Sequence, residues 1–229
     1  MKNTFAAIKV VLVSLSLVSI AGCAGLGGVP SAPSSAPQPT GTSTAGKVDP
    51  AQVERLQRLM TPLLHVMNNP ISSGQVQVSV VEDPQINAGS AGRGQFIVTT
   101  GLLSKANDEH LQSVLAHEIA HDDLGHVSKA QTLGAGLNIA TVLLEQFFPG
   151  SGQLTPLAGN LVIRAYGRSE EYEADRHGVV LLRKINPNGK QMMVNTLTWL
   201  QQTAGSSAGG FFATHPSSSD RIDRVRNMP

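Results

Sequence analysis

The chain has 229 residues, enough for one ordinary domain with extra segments. Charged residues are 14 % and aromatics 4 %, yet a hydrophobic fraction of 41 % still supports a buried core. The net charge is +1 and no dense basic cluster occurs, which argues against nucleic acid or acidic polymers as partners.

Lys2 and Lys9 sit at the start of an apolar run over Ile8–Ile20 that serines interrupt. The run is too short to span a bilayer and suits a signal-peptide core. It ends in Ile20-Ala21-Gly22-Cys23, which resembles the bacterial lipobox. Residues 1–22 are therefore expected to be a lipoprotein signal peptide, with Cys23 carrying the lipid anchor after cleavage. Cys23 is the one cysteine, so no intrachain disulfide can form. Ala24 follows it, which by resemblance to enterobacterial sorting favours the outer membrane, facing the periplasm. Residues 23–49 are rich in Gly, Pro, Ser and Thr and predict a disordered tether.

The folded domain is expected over 50–229. Ala51–Met67 carries apolar residues at helical period, with Pro62 expected to kink or divide the helix. Gln75–Val81 alternates, with Val76, Val78 and Val80 on one face, and predicts a strand. Gln95–Thr100 predicts a second strand, at a sheet edge above a cleft, after the glycine-rich Ala88–Gly94. Asn107 is a candidate N-cap for a helix whose apolar stripe is Leu111, Val114, Leu115 and Ile119 and whose C-cap is Gly125. Leu133–Phe148 predicts a buried or cleft-covering helix, with membrane-surface contact as the lesser alternative. Thr155-Pro156 opens a helix expected to reach Ile185, followed by a helix over Pro187–Thr203. Gly205–Ser219 is expected as a loop and Asp220–Asn227 as a last helix. The sum is an α+β, mainly α-helical domain with a small sheet beside the active-site helix.

His117 to His121 read H-E-I-A-H. Residues four apart on a helix lie ~40° apart in projection, so both histidines can face one zinc ion. Glu118 sits ~100° around the helix, where it can act as a general base on water rather than as a ligand. Such a string also arises on solvated helix faces, so a further protein ligand is needed. A local third histidine fails on spacing, because Gly125 and His126 fall at the wrong positions. His126 is expected to satisfy a carbonyl at the helix end. Glu171 and Asp175, in E-Y-E-A-D, share a helix face. Glu171 can complete the site while Asp175 accepts the N–H from the far side of His117. Glu170 is the nearest competitor, and Glu173 should point elsewhere.

The strings H-E-I-A-H-D-D-L-G-H and R-S-E-E-Y-E-A-D-R-H-G, with N-A-G-S-A-G-R-G-Q-F-I-V-T-T-G-L-L and T-H-P-S-S-S-D-R-I, resemble the gluzincin metallopeptidases of the CAAX prenyl endopeptidase and HtpX type. The lipobox makes the chain most similar to their periplasmic lipoprotein branch. The resemblance covers about Pro50 to Met228. It implies one zinc ion on His117, His121 and Glu171, with Glu118 as base. His215 resembles a histidine that approaches the metal in this branch, as oxyanion stabiliser or fourth ligand. Arg221 and Arg224 could reach a scissile carbonyl, although surface arginines are commoner on a terminal helix. His65, His110 and His177 show no usable ligand spacing, and Met192, Met193 and Trp199 are expected in the core. The expected activity is zinc-dependent endopeptidase cleavage of unfolded or misassembled envelope proteins, by a chain held to the membrane through its lipid. A non-catalytic zinc-stabilised binder would have no use for Glu118.

Overall fold

The computed structural model describes residues 8–13, 49–71, 74–132, 166–203, 210–216 and 219–229. Cys23, the tether up to Val48, the segment Leu133–Phe148 and the helix start at Thr155-Pro156 lie outside them. The described strands are β1 (Lys9–Val13), β2 (Gln77–Val81), β3 (Ala88–Gly92) and β4 (Gln95–Thr99). The helices are α1 (Pro50–His65), α2 (Thr100–Lys105), α3 (Asp108–Asp123), α4 (His126–Thr132), α5 (Arg168–Ile185), α6 (Gly189–Thr203), α7 (Phe211–Thr214) and α8 (Ser219–Arg226). The domain is mainly helical with a small mixed sheet, as expected. Among the described residues no helix is long and apolar enough to cross a membrane.

Asp49 caps α1 by accepting from Ala51 N at 2.9 Å, and Pro50 takes the first turn, where its missing N–H costs nothing. Pro62 does not divide α1, which continues to His65. Its missing donor falls near the helix end, and burial of Leu56, Leu59, Met60, Leu63 and Leu64 holds the last turn.

The sheet order is β1-β2-β4-β3, with β1, β2 and β4 parallel and β3 antiparallel to β4. The glycine-rich Ala88–Gly92 is thus a strand, and β4, expected at the edge, lies inside the sheet. Backbone pairing does not need large side chains, and the small ones let helices approach: a Cβ on Gly92 would stand 3.2 Å from Val127 on α4. The β3–β4 turn uses positive φ at Gly92, Arg93 and Gly94. Val78 to Val81 are all buried, so β2 is covered on both faces. β1 comes from the expected signal peptide and pairs with β2 from Lys9↔Gln77 to Val13↔Val81.

Asn107 Oδ1 caps α3 by accepting from His110 N at 2.8 Å, and Gly125 (φ +67°) ends it before α4 begins at once. α3 is buried nearly all round, from Leu111 to His121 apart from Gln112. α5 packs closely on it, because a Cβ on Gly178 would lie 3.4 Å from Ala116 O and only 2.9 Å from Met193 Cε. α5 starts at Arg168 rather than running on from Pro156: Gly167 N donates to Glu170 Oε2 at 2.9 Å, and Tyr166 N donates to Thr214 O. That use fixes Glu170 at the helix start. The predicted loop before the last helix contains the short α7.

Two aspartates at the end of α3 tie the domain together. Asp122 accepts from Arg93 N (2.9 Å) and Gly94 N (2.6 Å), holding the β3–β4 turn. Asp123 accepts from Asn68 N (2.9 Å), Asn69 N (2.6 Å) and His177 Nε2 (2.6 Å), joining α1, α3 and α5. Burial pushes the Asp123 carboxyl up, but His177 and the two amides outweigh it and hold the pKa below its ordinary value. A depressed folded pKa gives stability that is present above the unfolded value and lost as pH falls through the folded one. Asp123→Ala should cost roughly 2–4 kcal/mol in urea unfolding at pH 7. The wild type should lose stability below about pH 4 more steeply than this variant.

Candidate metal centre

Neighbouring turns of α3 bring His117 and His121 together, with Nε2 atoms 3.1 Å apart. α5 delivers Glu171, whose Oε2 is 3.5 Å from His117 Nε2 and whose Oε1 is 3.3 Å from His121 Nε2. The residue after α7 delivers His215, whose Nδ1 is 3.3 Å from His117 Nε2 and 3.1 Å from Glu171 Oε1. One ligand atom from each of these four residues falls within 4.8 Å of the others. All four are buried, none more than 2 % exposed, which removes the solvated-helix alternative for the H-E-I-A-H string.

Glu118 is 1 % exposed, and neither carboxylate oxygen has a hydrogen-bond partner. The nearest basic atom is His215 Nε2, 3.3 Å from Oε1. A buried polar group without a partner is costly unless a ligand or reactant uses it. Three imidazoles, one carboxylate and a free carboxylate alongside suit a borderline divalent cation such as zinc, with a base at hand.

The centre is braced from behind. His117 Nδ1 lies 3.0 Å from Asp175 Oδ1, on the side of the ring away from the converging nitrogens. Arg221 from α8 grips Asp175 with two bonds, Nε–Oδ2 and Nη2–Oδ1, both 2.7 Å. Its Nη1 reaches Glu171 Oε2 at 2.5 Å. Arg221 is 2 % exposed, which corrects the expectation of a surface arginine. The signal available was its place in D-R-I after T-H-P. Nothing in that string tells which way the α8 side chain faces. Arg224 instead lies over the Tyr172 ring at 4.1 Å.

Burial pushes Glu171 up, but Arg221 and His215 outweigh it and hold its carboxyl well below the usual range. Burial likewise raises Asp175, and Arg221 with His117 reverses that. Burial lowers His117, yet Asp175 and Glu171 carry it up to about 9. Burial drives His121 well below its ordinary value and keeps it neutral.

His126 is not a helix-end residue on a carbonyl. It opens α4, is 1 % exposed, and lies behind His121 with Glu173 on its far side. His177 pairs with Asp123, and His110 stacks on Trp199 at 4.6 Å. Met192 and Met193 are core residues, whereas Trp199 is only partly buried against the core.

A histidine pair on one buried helix, a carboxylate from a second and a buried glutamate beside them are the donor set of a candidate metallopeptidase centre. Residues 50–229 match the model of peptidase family M48. The chain is 30 % identical over 187 residues to Metalloprotease LoiP of Escherichia coli (strain K12), covering 79 % of this chain and 73 % of that one. It is 28 % identical over 216 residues to Protease HtpX of Legionella pneumophila subsp. pneumophila (strain Philadelphia 1), covering 76 % of each. The Protease HtpX homolog of Burkholderia pseudomallei (strain 668) is 27 % identical over 231 residues, covering 80 % of this chain and 77 % of that one. The chain belongs to peptidase family M48. It is a metallopeptidase, and the family's reaction implies a bound metal, typically zinc.

Arg221→Met leaves two buried carboxylates uncompensated and should destabilise the domain by about 3–5 kcal/mol in urea unfolding. Arg221→Lys keeps the charge but not the two-pronged grip, and should recover only part of that loss. A Met variant as stable as the wild type would show that the carboxylates do not depend on Arg221.

Proposed function

We propose that the protein is a zinc endopeptidase in which His117, His121 and Glu171 hold one ion and Glu118 is the general base. The observation that carries this is the buried Glu118 carboxylate, 3.3 Å from His215 Nε2, beside four converging ligand atoms. When bound, zinc supplies a Lewis acid that acidifies water and polarises a peptide carbonyl. Glu118 takes the proton of the attacking water on a carboxylate oxygen and returns it to the leaving amine. Asp175 accepts from His117 and keeps its Nε2 turned inward, and Arg221 holds Asp175 still. His215 has both nitrogens turned to the centre, Nδ1 toward Glu171 and Nε2 toward Glu118. That supports the fourth-ligand role, a latent state that substrate must displace, over oxyanion stabilisation.

The lipobox-like string supports a lipid-anchored protein of the bacterial envelope, carried on Cys23 in the outer membrane and facing the periplasm. Substrates would be unfolded or misassembled envelope proteins, with no nucleic acid involved. Cleavage before Cys23 would remove β1 and leave β2 at the sheet edge.

Casein cleavage tests the chemistry. Glu118→Gln should lose at least ~10²-fold in rate while keeping its zinc, and Glu171→Ala should lose zinc itself. Equal cleavage by wild type and Glu118→Gln would sink the mechanism. In the same assay His215→Ala should cleave faster than wild type, whereas a loss would return His215 to the oxyanion role. For the anchor, labelled palmitate should enter the wild type and not Cys23→Ser; label in both would refute lipidation at Cys23.

A further inference from the structure

The two ring nitrogens of His121 face different surroundings. Nε2 points into the centre, 3.1 Å from His117 Nε2 and 3.3 Å from Glu171 Oε1. Nδ1 points away, 2.9 Å from Nδ1 of His126. The other nitrogen of His126, Nε2, lies 3.4 Å from Glu173 Oε2. His126 is buried, while the Glu173 side chain is 49 % exposed. Tyr166 stacks on the His121 ring at 3.6 Å and 21°, which fixes the ring plane but not its protonation.

A hydrogen bond between two imidazole nitrogens holds one proton, so one nitrogen must be bare. A histidine that gives its Nε2 lone pair to a metal keeps its proton on Nδ1. His121 must then donate, and His126 must accept at Nδ1. A neutral His126 that accepts at Nδ1 carries its own proton on Nε2, the nitrogen that faces Glu173. The proton positions along His121, His126 and Glu173 are therefore mutually consistent in one arrangement only.

We propose that His126 is a positioning residue for His121: a neutral acceptor that holds the ring in its metal-binding tautomer, with Glu173 selecting the complementary tautomer of His126. This rests on reading His121 as a metal ligand. The two histidines of the motif are then braced differently. His117 is backed by a carboxylate locked to a buried arginine, and His121 by an uncharged ring that reaches the surface through one half-exposed carboxylate. His126 is not itself a ligand, because the immediate start of α4 after Gly125 sets it behind His121 rather than beside the converging nitrogens.

The test uses the full chain and two variants that separate volume from hydrogen bonding. His126→Phe keeps a ring but has no acceptor, and His126→Asn keeps an acceptor but loses the ring. Zinc affinity is read by competition with a chromophoric chelator, and thermal unfolding of the zinc-free protein is followed by circular dichroism. His126→Phe should bind zinc about 10–100-fold more weakly, with His126→Asn recovering most of the loss. Glu173→Gln should have a smaller effect than His126→Phe, since an amide oxygen still accepts. Unchanged zinc affinity in His126→Phe, or equal weakening in both His126 variants, would overturn the proposal and leave His126 a packing residue. His121→Ala serves as the reference. If it binds zinc like wild type, the ligand assignment fails and this inference with it. If it loses zinc while His126→Phe does not, only the positioning role falls.

Discussion

The centre depends on how buried negative charge is compensated. Glu118, Glu171 and Asp175 are all 2 % exposed or less, and they lie together under the histidine pair. Unpaired carboxylates in such a place would take up protons rather than stay ionised. Arg221 is the one Lys or Arg buried among the described residues, and it touches two of the three. Glu118, the third, faces His215 Nε2 at 3.3 Å instead. The arginine comes from the last helix, so the carboxylates supplied by α5 reach their working state only when the end of the chain has docked.

α3 is the second determinant. It carries His117, Glu118 and His121, and its last turn carries the two aspartates that hold the β3–β4 turn and the α1–β2 connection. A helix buried on nearly every side cannot be stabilised by amphipathicity, and its polar residues must all be used. They are used in two sets: the middle turns face the metal centre, and the final turn anchors the sheet and α5. The close approach at Gly178 keeps the α3–α5 distance short enough for Glu171 to reach both histidines.

Much of this was legible in the chain. The i, i+4 spacing of His117 and His121, and of Glu171 and Asp175, is set by helical geometry, so each pair could be placed on one face before any fold was known. Asn107 and Gly125 marked the ends of α3 through local hydrogen bonding and backbone freedom. The strand at Ala88–Gly92 was not legible, because its residues are too small to show a hydrophobic period, and its pairing made β4 an interior strand. Pro62 misled in the other direction: a local penalty was outweighed by the burial of the leucines around it.

Local facts follow from the order of residues alone: which residues share a helix face, where α3 starts and stops, and which donor types are available to a metal. Which faces meet is set by the packing of distant segments. It turned Arg221 inward onto Asp175 and Glu171, set His126 behind His121, paired His177 with Asp123, and brought His215 across from a distant loop to the histidine pair. The reason is physical. Spacing along one helix follows from backbone geometry within a few residues. The direction in which a lone arginine or histidine points is set by the charges and rings that other segments bring to it.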